Sequence, residues 1–232
     1  MPDFGIAAFR DQTASSRLLK NCLAAFLVVT LLSLWFGWRE IGILDRLRDG
    51  DFVADEEIEA SDNGQMAIAI LSGIVYLTTA IIFLRWIYVS QRNAKALGAD
   101  GLRFTPGWAV GWYFVPFATY WKPYQAMRET FRASHPDYGP NWQEAPRAPI
   151  LPAWWTLWIL HTAIGRTSTR LMFRADTIED YLASSRLSFT TDLLALPLTG
   201  VAILLVTQLQ ALQDAKQRSL NAAASVAFSP EI

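Results

Sequence analysis

Few residues in this chain are of a type and spacing that could do chemistry. His135 and His161 are its two histidines, and Cys22 is its one cysteine. Neither histidine has a second histidine or a cysteine at metal-ligand spacing, so no metal centre is expected. A single cysteine excludes an intrachain disulfide, and Cys22, at the head of an apolar run, is expected to pack as a small hydrophobe. No serine nucleophile elbow, Walker loop or dinucleotide fingerprint occurs. An intramembrane protease needs a nucleophile–base pair or two aspartates, and Asp192 is the only carboxylate close to an apolar run. No catalytic residue and no cofactor is expected, and the chain does not read as an enzyme.

Three polar features remain as candidates. His161 lies in an aromatic apolar run, where a histidine either handles protons or makes one interhelical hydrogen bond. Arg166, Arg170 and Arg174 stand at four-residue steps and form one basic stripe. That stripe could hold anionic lipid headgroups or a phosphorylated ligand, or simply pair with Asp176, Glu179 and Asp180. Asp192 precedes an apolar run and suits the positive end of a helix starting there.

The elements that must position these groups are apolar. Hydrophobic residues make up 52% of the chain, and ten residues are tryptophan, as suits a protein with two aromatic interface belts. The expected fold is all-α, a polytopic membrane bundle with four full spans at 18–38, 66–89, 151–173 and 192–212. Each is long enough to cross a hydrocarbon core of about 30 Å. A net charge of −1 gives no field for nucleic acid, so the bilayer is the expected partner, with a membrane or soluble protein as a possible second.

A further segment, 106–121, is apolar and aromatic but only about 24 Å long as an ideal helix. Pro116 near its middle removes a backbone donor and predicts a break. The segment either spans or turns back, and turning back is the expectation. Gly107 and Gly111 could admit a neighbouring helix. Trp121 and Pro123 then open an amphipathic helix, 123–134. Tyr120, Tyr124, Met127 and Phe131 share its apolar face, and Gln125, Arg128, Glu129 and Arg132 the other. Such a helix is expected to lie in the headgroup region.

The connections complete the reading. Residues 1–17, with a Phe4–Phe9 patch, and 213–232 are expected as tails. Residues 39–65 carry nine acids and three arginines and form an acidic loop. Residues 90–103 form a short basic loop, with Leu97-Gly98 a helix stop. The basic residues Arg10, Arg17 and Lys20 before the first span place the N-terminus in the cytoplasm and the acidic loop outside.

Several blocks resemble one family. Gly107-Trp108-Ala109-Val110-Gly111-Trp112, Pro116-Phe117 and Trp121-Lys122-Pro123-Tyr124 running into Met127-Arg128-Glu129 resemble the signature of an uncharacterised bacterial membrane-protein family, domain of unknown function 4328. Leu151 to Trp158 and the run ending in Thr207-Gln208 resemble its later blocks. The resemblance covers about residues 66 to 215, with no counterpart for the acidic loop. It implies a membrane fold, of bacterial inner-membrane type, and no catalytic or ligand residue.

Two functions follow as expectations. The first is a non-enzymatic interaction or regulatory module that uses the acidic loop and the amphipathic helix as contact surfaces. The alternative is a small transporter or channel built on the Pro116-broken segment and His161.

Overall fold

The structure is a computed structural model that describes residues 8–227. Every regular element among these residues is helical. Six α-helices follow in order: α1 (Thr13–Arg48), α2 (Asp55–Ala96), α3 (Pro106–Gly111), α4 (Lys122–Ala133), α5 (Ile150–Met172) and α6 (Ile178–Ala227). Short 3-10 turns lie at Trp112–Phe114, Ala118–Tyr120 and Pro136–Glu144.

Local signals set the ends. Asp11 accepts hydrogen bonds from the Thr13 hydroxyl and amide at 2.7 and 2.8 Å, just ahead of α1. These bonds hold its carboxyl below the usual carboxylate range. Asp55, Glu56 and Glu57 load the first turn of α2 with negative charge, opposite the helix dipole. Gly98 stops α2. Its φ is +84°, its amide bonds Lys95 O, and the Ala99 amide bonds Ala94 O, the two bonds of a glycine C-cap. Thr177 and Asp180 bond each other reciprocally as a capping box for α6.

Three helices, α1, α2 and α6, are long and apolar enough to cross a membrane. Their large apolar side chains are often exposed, among them Val28, Ile70, Ile74, Leu77, Ile81 and Leu204. That arrangement suits helices solvated by lipid. α5 is not one of the three. Trp154, Trp155, Trp158, His161 and Arg166 lower the hydropathy of its 23 residues.

Several expected boundaries are corrected. The acidic stretch 39–65 is not a loop: α1 runs to Arg48 and α2 starts at Asp55, so the turn is 49–54. The basic stretch 90–103 is helical to Ala96. Asp192 does not begin a helix, because α6 starts at Ile178 and carries Pro197 in its interior. The tails are shorter than expected, with α1 starting at Thr13 and α6 running to Ala227. Residues 1–7, which hold part of the Phe4–Phe9 patch, and 228–232 lie outside the described residues. Hydropathy marks only where a helix is apolar, and these helices continue as polar helix beyond that point.

The chain divides into two compact units. In the second unit (21–80 and 153–202), the end of α1 runs antiparallel to the start of α6. The Ser33 hydroxyl donates to Asp192 at 2.6 Å, and Arg186 donates to Asp45 at 2.9 Å. The start of α2 meets the same end of α1 through the Arg46–Glu57 ion pair and a 2.7 Å bond from Gln65 to Glu40. Gly64 is required there, since a Cβ would lie 2.5 Å from Cε1 of Phe36. α5 and α6 form an antiparallel pair in which the Ser168 hydroxyl lies 2.7 Å from that of Ser188 and 2.9 Å from Ser184 O.

In the described part of the first unit (8–20, 81–152 and 203–227), the start of α1 meets the ends of α2 and α6. Gln12 donates to the Ser90 hydroxyl, and Trp86 Nε1 donates to the Ser16 hydroxyl, both at 3.1 Å. Gln213 donates to Ser90 O at 2.8 Å and to the Ser134 hydroxyl at 3.0 Å. Lys216 Nζ donates to Ala133 O at 2.7 Å, so a buried ammonium sits at the negative end of α4. Asn93 grips the backbone ahead of α1, accepting from the Arg10 amide at 3.0 Å and donating to Arg10 O at 2.8 Å. Asn93→Ala is expected to cost about 2 kcal/mol, two ordinary hydrogen bonds. Hydrogen exchange should then speed up at the Arg10 amide first, while the α4 amides keep their protection.

Candidate functional site

The sequence around Pro116 folds as a run of short turns with no continuous helix across it. α3 is six residues long. Its first turn is set by Pro106 and by the Thr105 hydroxyl, which accepts from the Trp108 amide at 3.3 Å. After Trp112–Phe114 the chain extends at Val115, passes Pro116, and takes φ +62° at Phe117. No helix here reaches a spanning length: six residues rise only about 9 Å. Pro123 then seats the first turn of α4.

α4 does not offer its apolar face to lipid, as the amphipathic pattern predicts. Met127 and Phe131 are 2% and 3% exposed, covered by protein, and Ala126, Thr130 and Ala133 are buried beside them. Glu129 is also buried, contrary to its expected place on the polar face. Its Oε2 accepts from the Arg103 amide at 2.9 Å, and its Oε1 accepts from the Phe104 amide and from Gln91 Nε2, both at 3.1 Å. Gln91 closes the ring, donating to Phe104 O at 2.8 Å and accepting from the Thr130 hydroxyl. One carboxylate thus ties the segment after α2 to the middle of α4.

This tie shapes a cleft of about 180 Å³. It is lined by Arg103, Phe104, Gln125, Arg128, Glu129, Arg132, Trp142 and Gln143. Helical spacing brings Gln125, Arg128 and Arg132 to one wall. Arg132 is steadied by a 2.7 Å bond from its Nε to Ala145 O, and Trp142 by one of 2.9 Å from its Nε1 to Asp100 O. Arg128 lies 5.9 Å from the centre of the Tyr124 ring. Among the described residues no ion pair involves Arg103, Arg128 or Arg132. A second cavity of about 190 Å³ shares Arg103 and Phe104 and adds Thr105, Trp108, Trp112 and Lys122. Lys122 Nζ sits 5.5 Å from the Trp112 ring centre and 5.9 Å from that of Phe104.

The residues singled out from sequence lie elsewhere. His161 is half-buried on α5 in the second unit, and no hydrogen bond involves it among the described residues. Arg166, Arg170 and Arg174 are exposed, and no ion pair joins Arg170 or Arg174 to Asp176, Glu179 or Asp180. Asp180 serves the α6 cap instead. Asp192 takes the Ser33 hydroxyl. These groups do not converge on one site. Among the described residues no helix packs on Gly107, where the space is open, and a Cβ on Gly111 would meet Trp108 at 3.2 Å. Trp121 is 48% exposed. No group of three or more metal-ligating side chains occurs among the described residues.

The cleft itself was not foreseen. Its visible signal was the spacing of Gln125, Arg128 and Arg132. The third arginine, Arg103, lies 25 residues upstream of Arg128 and reaches the cleft only through the Glu129 tie.

Comparison with protein families gives one match over residues 49–211, to a family described as Domain of unknown function (DUF4328). The match starts before the resemblance read from the sequence and takes in most of the acidic stretch. No curated protein matches the chain, and no solved structure does.

Proposed function

Because the chain belongs to the DUF4328 family, whose description assigns no activity, we propose from its own residues that it is a multi-pass membrane protein that works by binding. It acts as an interaction or regulatory module of a bacterial inner membrane, not as an enzyme.

Four passages are supported by hydrogen-bond register. The start of α1 is level with the ends of α2 and α6, through Ser16–Trp86 and the 3.4 Å bond from Gln210 to Thr13. The end of α1 is level with the starts of α2 and α6, through Arg46–Glu57 and Asp45–Arg186. α2 and α6 therefore run in the same direction, and the chain must travel back between them. α5 is the one helix between them of sufficient length, about 34 Å at 1.5 Å per residue. The broken 106–121 segment then dips and returns. The start of α1 and the end of α6 share the cytoplasmic side, with thirteen of the twenty basic residues.

The observation that carries the binding reading is the fate of the polar groups. Gln91, Glu129, Thr130, Gln213 and Lys216 are used to fix α4 and its cleft. What stays presented is a basic surface of fixed shape.

Single cysteines in a Cys22→Ser background test the topology. Asp51→Cys and Phe173→Cys are expected to react with an impermeant maleimide from outside, and Gln143→Cys and Arg218→Cys only after permeabilisation. Labelling of Gln143→Cys from outside overturns the arrangement. Solute flux through proteoliposomes that disappears in His161→Ala replaces binding with transport.

A further inference from the structure

Resting on that binding reading, we propose that the Arg103–Arg128–Arg132 cleft takes an amphiphile whose phosphate headgroup carries net negative charge, with its phosphate held by the arginines.

The charge argument comes first. Three guanidinium groups line one cleft, and its only carboxylate is already engaged by three N–H donors. Glu129 therefore has little left to offer a cationic ligand, and the cleft presents net positive charge. Guanidinium groups match phosphate oxygens with two parallel hydrogen bonds, at roughly twice the strength of neutral bonds. Lys122, in the adjoining cavity, supplies a fourth cation.

Size and rigidity agree. About 180 Å³ is room for a phosphate group and its ester link. The walls are fixed by the Glu129 ring, the Arg132–Ala145 bond and the Trp142–Asp100 bond. Of the three arginine side chains only Arg132 is held by a hydrogen bond among the described residues, so Arg103 and Arg128 become ordered on binding.

The apolar surroundings identify the rest of the ligand. Arg103 and Phe104 are shared with the cavity that holds Trp108 and Trp112. Trp108 is 53% exposed, and Phe114 and Phe117, further along the same segment and outside both cavities, are 72% and 77% exposed. A purely hydrophilic phosphate gains nothing from such neighbours, whereas a lipid can set its headgroup on the arginines and its chains along the aromatic segment.

The test uses the full chain in neutral detergent, titrated separately with short-chain phosphatidylglycerol, short-chain phosphatidylcholine, glycerol 3-phosphate and inorganic phosphate. Binding is read by intrinsic tryptophan fluorescence and by the shift in Tm. Saturable binding of phosphatidylglycerol is expected, at least tenfold tighter than phosphatidylcholine and weakened by salt. Arg103→Gln and Arg128→Gln, whose side chains hold no structural hydrogen bond, should each weaken it about tenfold. Arg218→Gln, exposed on the last turns of α6, should leave it unchanged. Glycerol 3-phosphate binding as tightly as the lipid overturns the lipid source and leaves a free phosphorylated ligand in the same cleft. Equal affinity for both lipids, or affinity unmoved in Arg103→Gln and Arg128→Gln while both variants keep wild-type Tm, overturns the site. Those failures leave the maleimide-labelling topology untouched.

Discussion

Glu129→Ala is expected to lower stability by about 3 kcal/mol. The side chain is 6% exposed and accepts from two backbone amides and one glutamine. A hydrogen bond to a charged group is worth about 1.5–3 kcal/mol, and a buried donor left unpaired costs about 1–3 kcal/mol. The simple sum is larger than the expected loss, because water can reach the part-buried Arg103 amide once the side chain is gone. Glu129→Gln should cost about 2 kcal/mol, since one oxygen still accepts while the new NH2 faces a donor. Thermal unfolding in detergent gives the global loss, and hydrogen exchange at Arg103 and Phe104 gives the local one. About 3 kcal/mol corresponds to roughly a hundredfold faster exchange at those amides. Glu144→Ala is the control: its side chain is exposed, and a change within about 0.5 kcal/mol is expected. If Glu129→Ala is as mild as Glu144→Ala, the carboxylate does not hold the cleft.

The same residue marks the limit of what could be read in advance. The period of apolar residues placed a helix at α4, and its apolar face at Met127 and Phe131 was correct. What covers that face was not legible, because the covering groups are distant in sequence. Glu129 lies one residue from Arg128, about 100° around the helix, so a helical wheel leaves it at the edge of the polar face. Only the amides of Arg103 and Phe104, about 25 residues earlier, turn it inward. The long apolar runs in α1, α2 and α6 were legible for the opposite reason. A span is specified by its own residues against the bilayer, with no partner needed. Gly98 was legible too, since a glycine C-cap is a local signal. Asp192 was misplaced because an acid before an apolar run suits a helix start, and the polar turns before it gave no sign that α6 was already running. The boundary between polar loop and polar helix is set by tertiary contacts such as Asp45–Arg186 and Ser168–Ser188, which a single sequence does not display.

Trp86→Ala is expected to cost about 3–5 kcal/mol, the range for removing a buried aromatic. Beside Arg85 and Tyr88 this tryptophan looks like one more interface anchor. The structure gives it another role. It is 1% exposed, stacks on Phe83 with ring centres 5.8 Å apart, and donates its Nε1–H to the fully buried Ser16 hydroxyl. It thereby locks the end of α2 to the start of α1. Trp86→Phe keeps most of the ring and loses the hydrogen bond, so a smaller cost of about 1–2 kcal/mol is expected. Trp38 is the comparison, because it is 67% exposed on α1. Trp38→Ala removes surface that no protein covers, and a loss under about 1 kcal/mol is expected in detergent. An anchoring role would make Trp38 and Trp86 equivalent, since both sit near the ends of apolar helices. A packing role separates them by several kcal/mol and orders the Trp86 series as Ala well below Phe, with Phe just below wild type. Equal midpoints for Trp38→Ala and Trp86→Ala would mean that the Trp86–Ser16 contact adds nothing to the joining of α1 and α2.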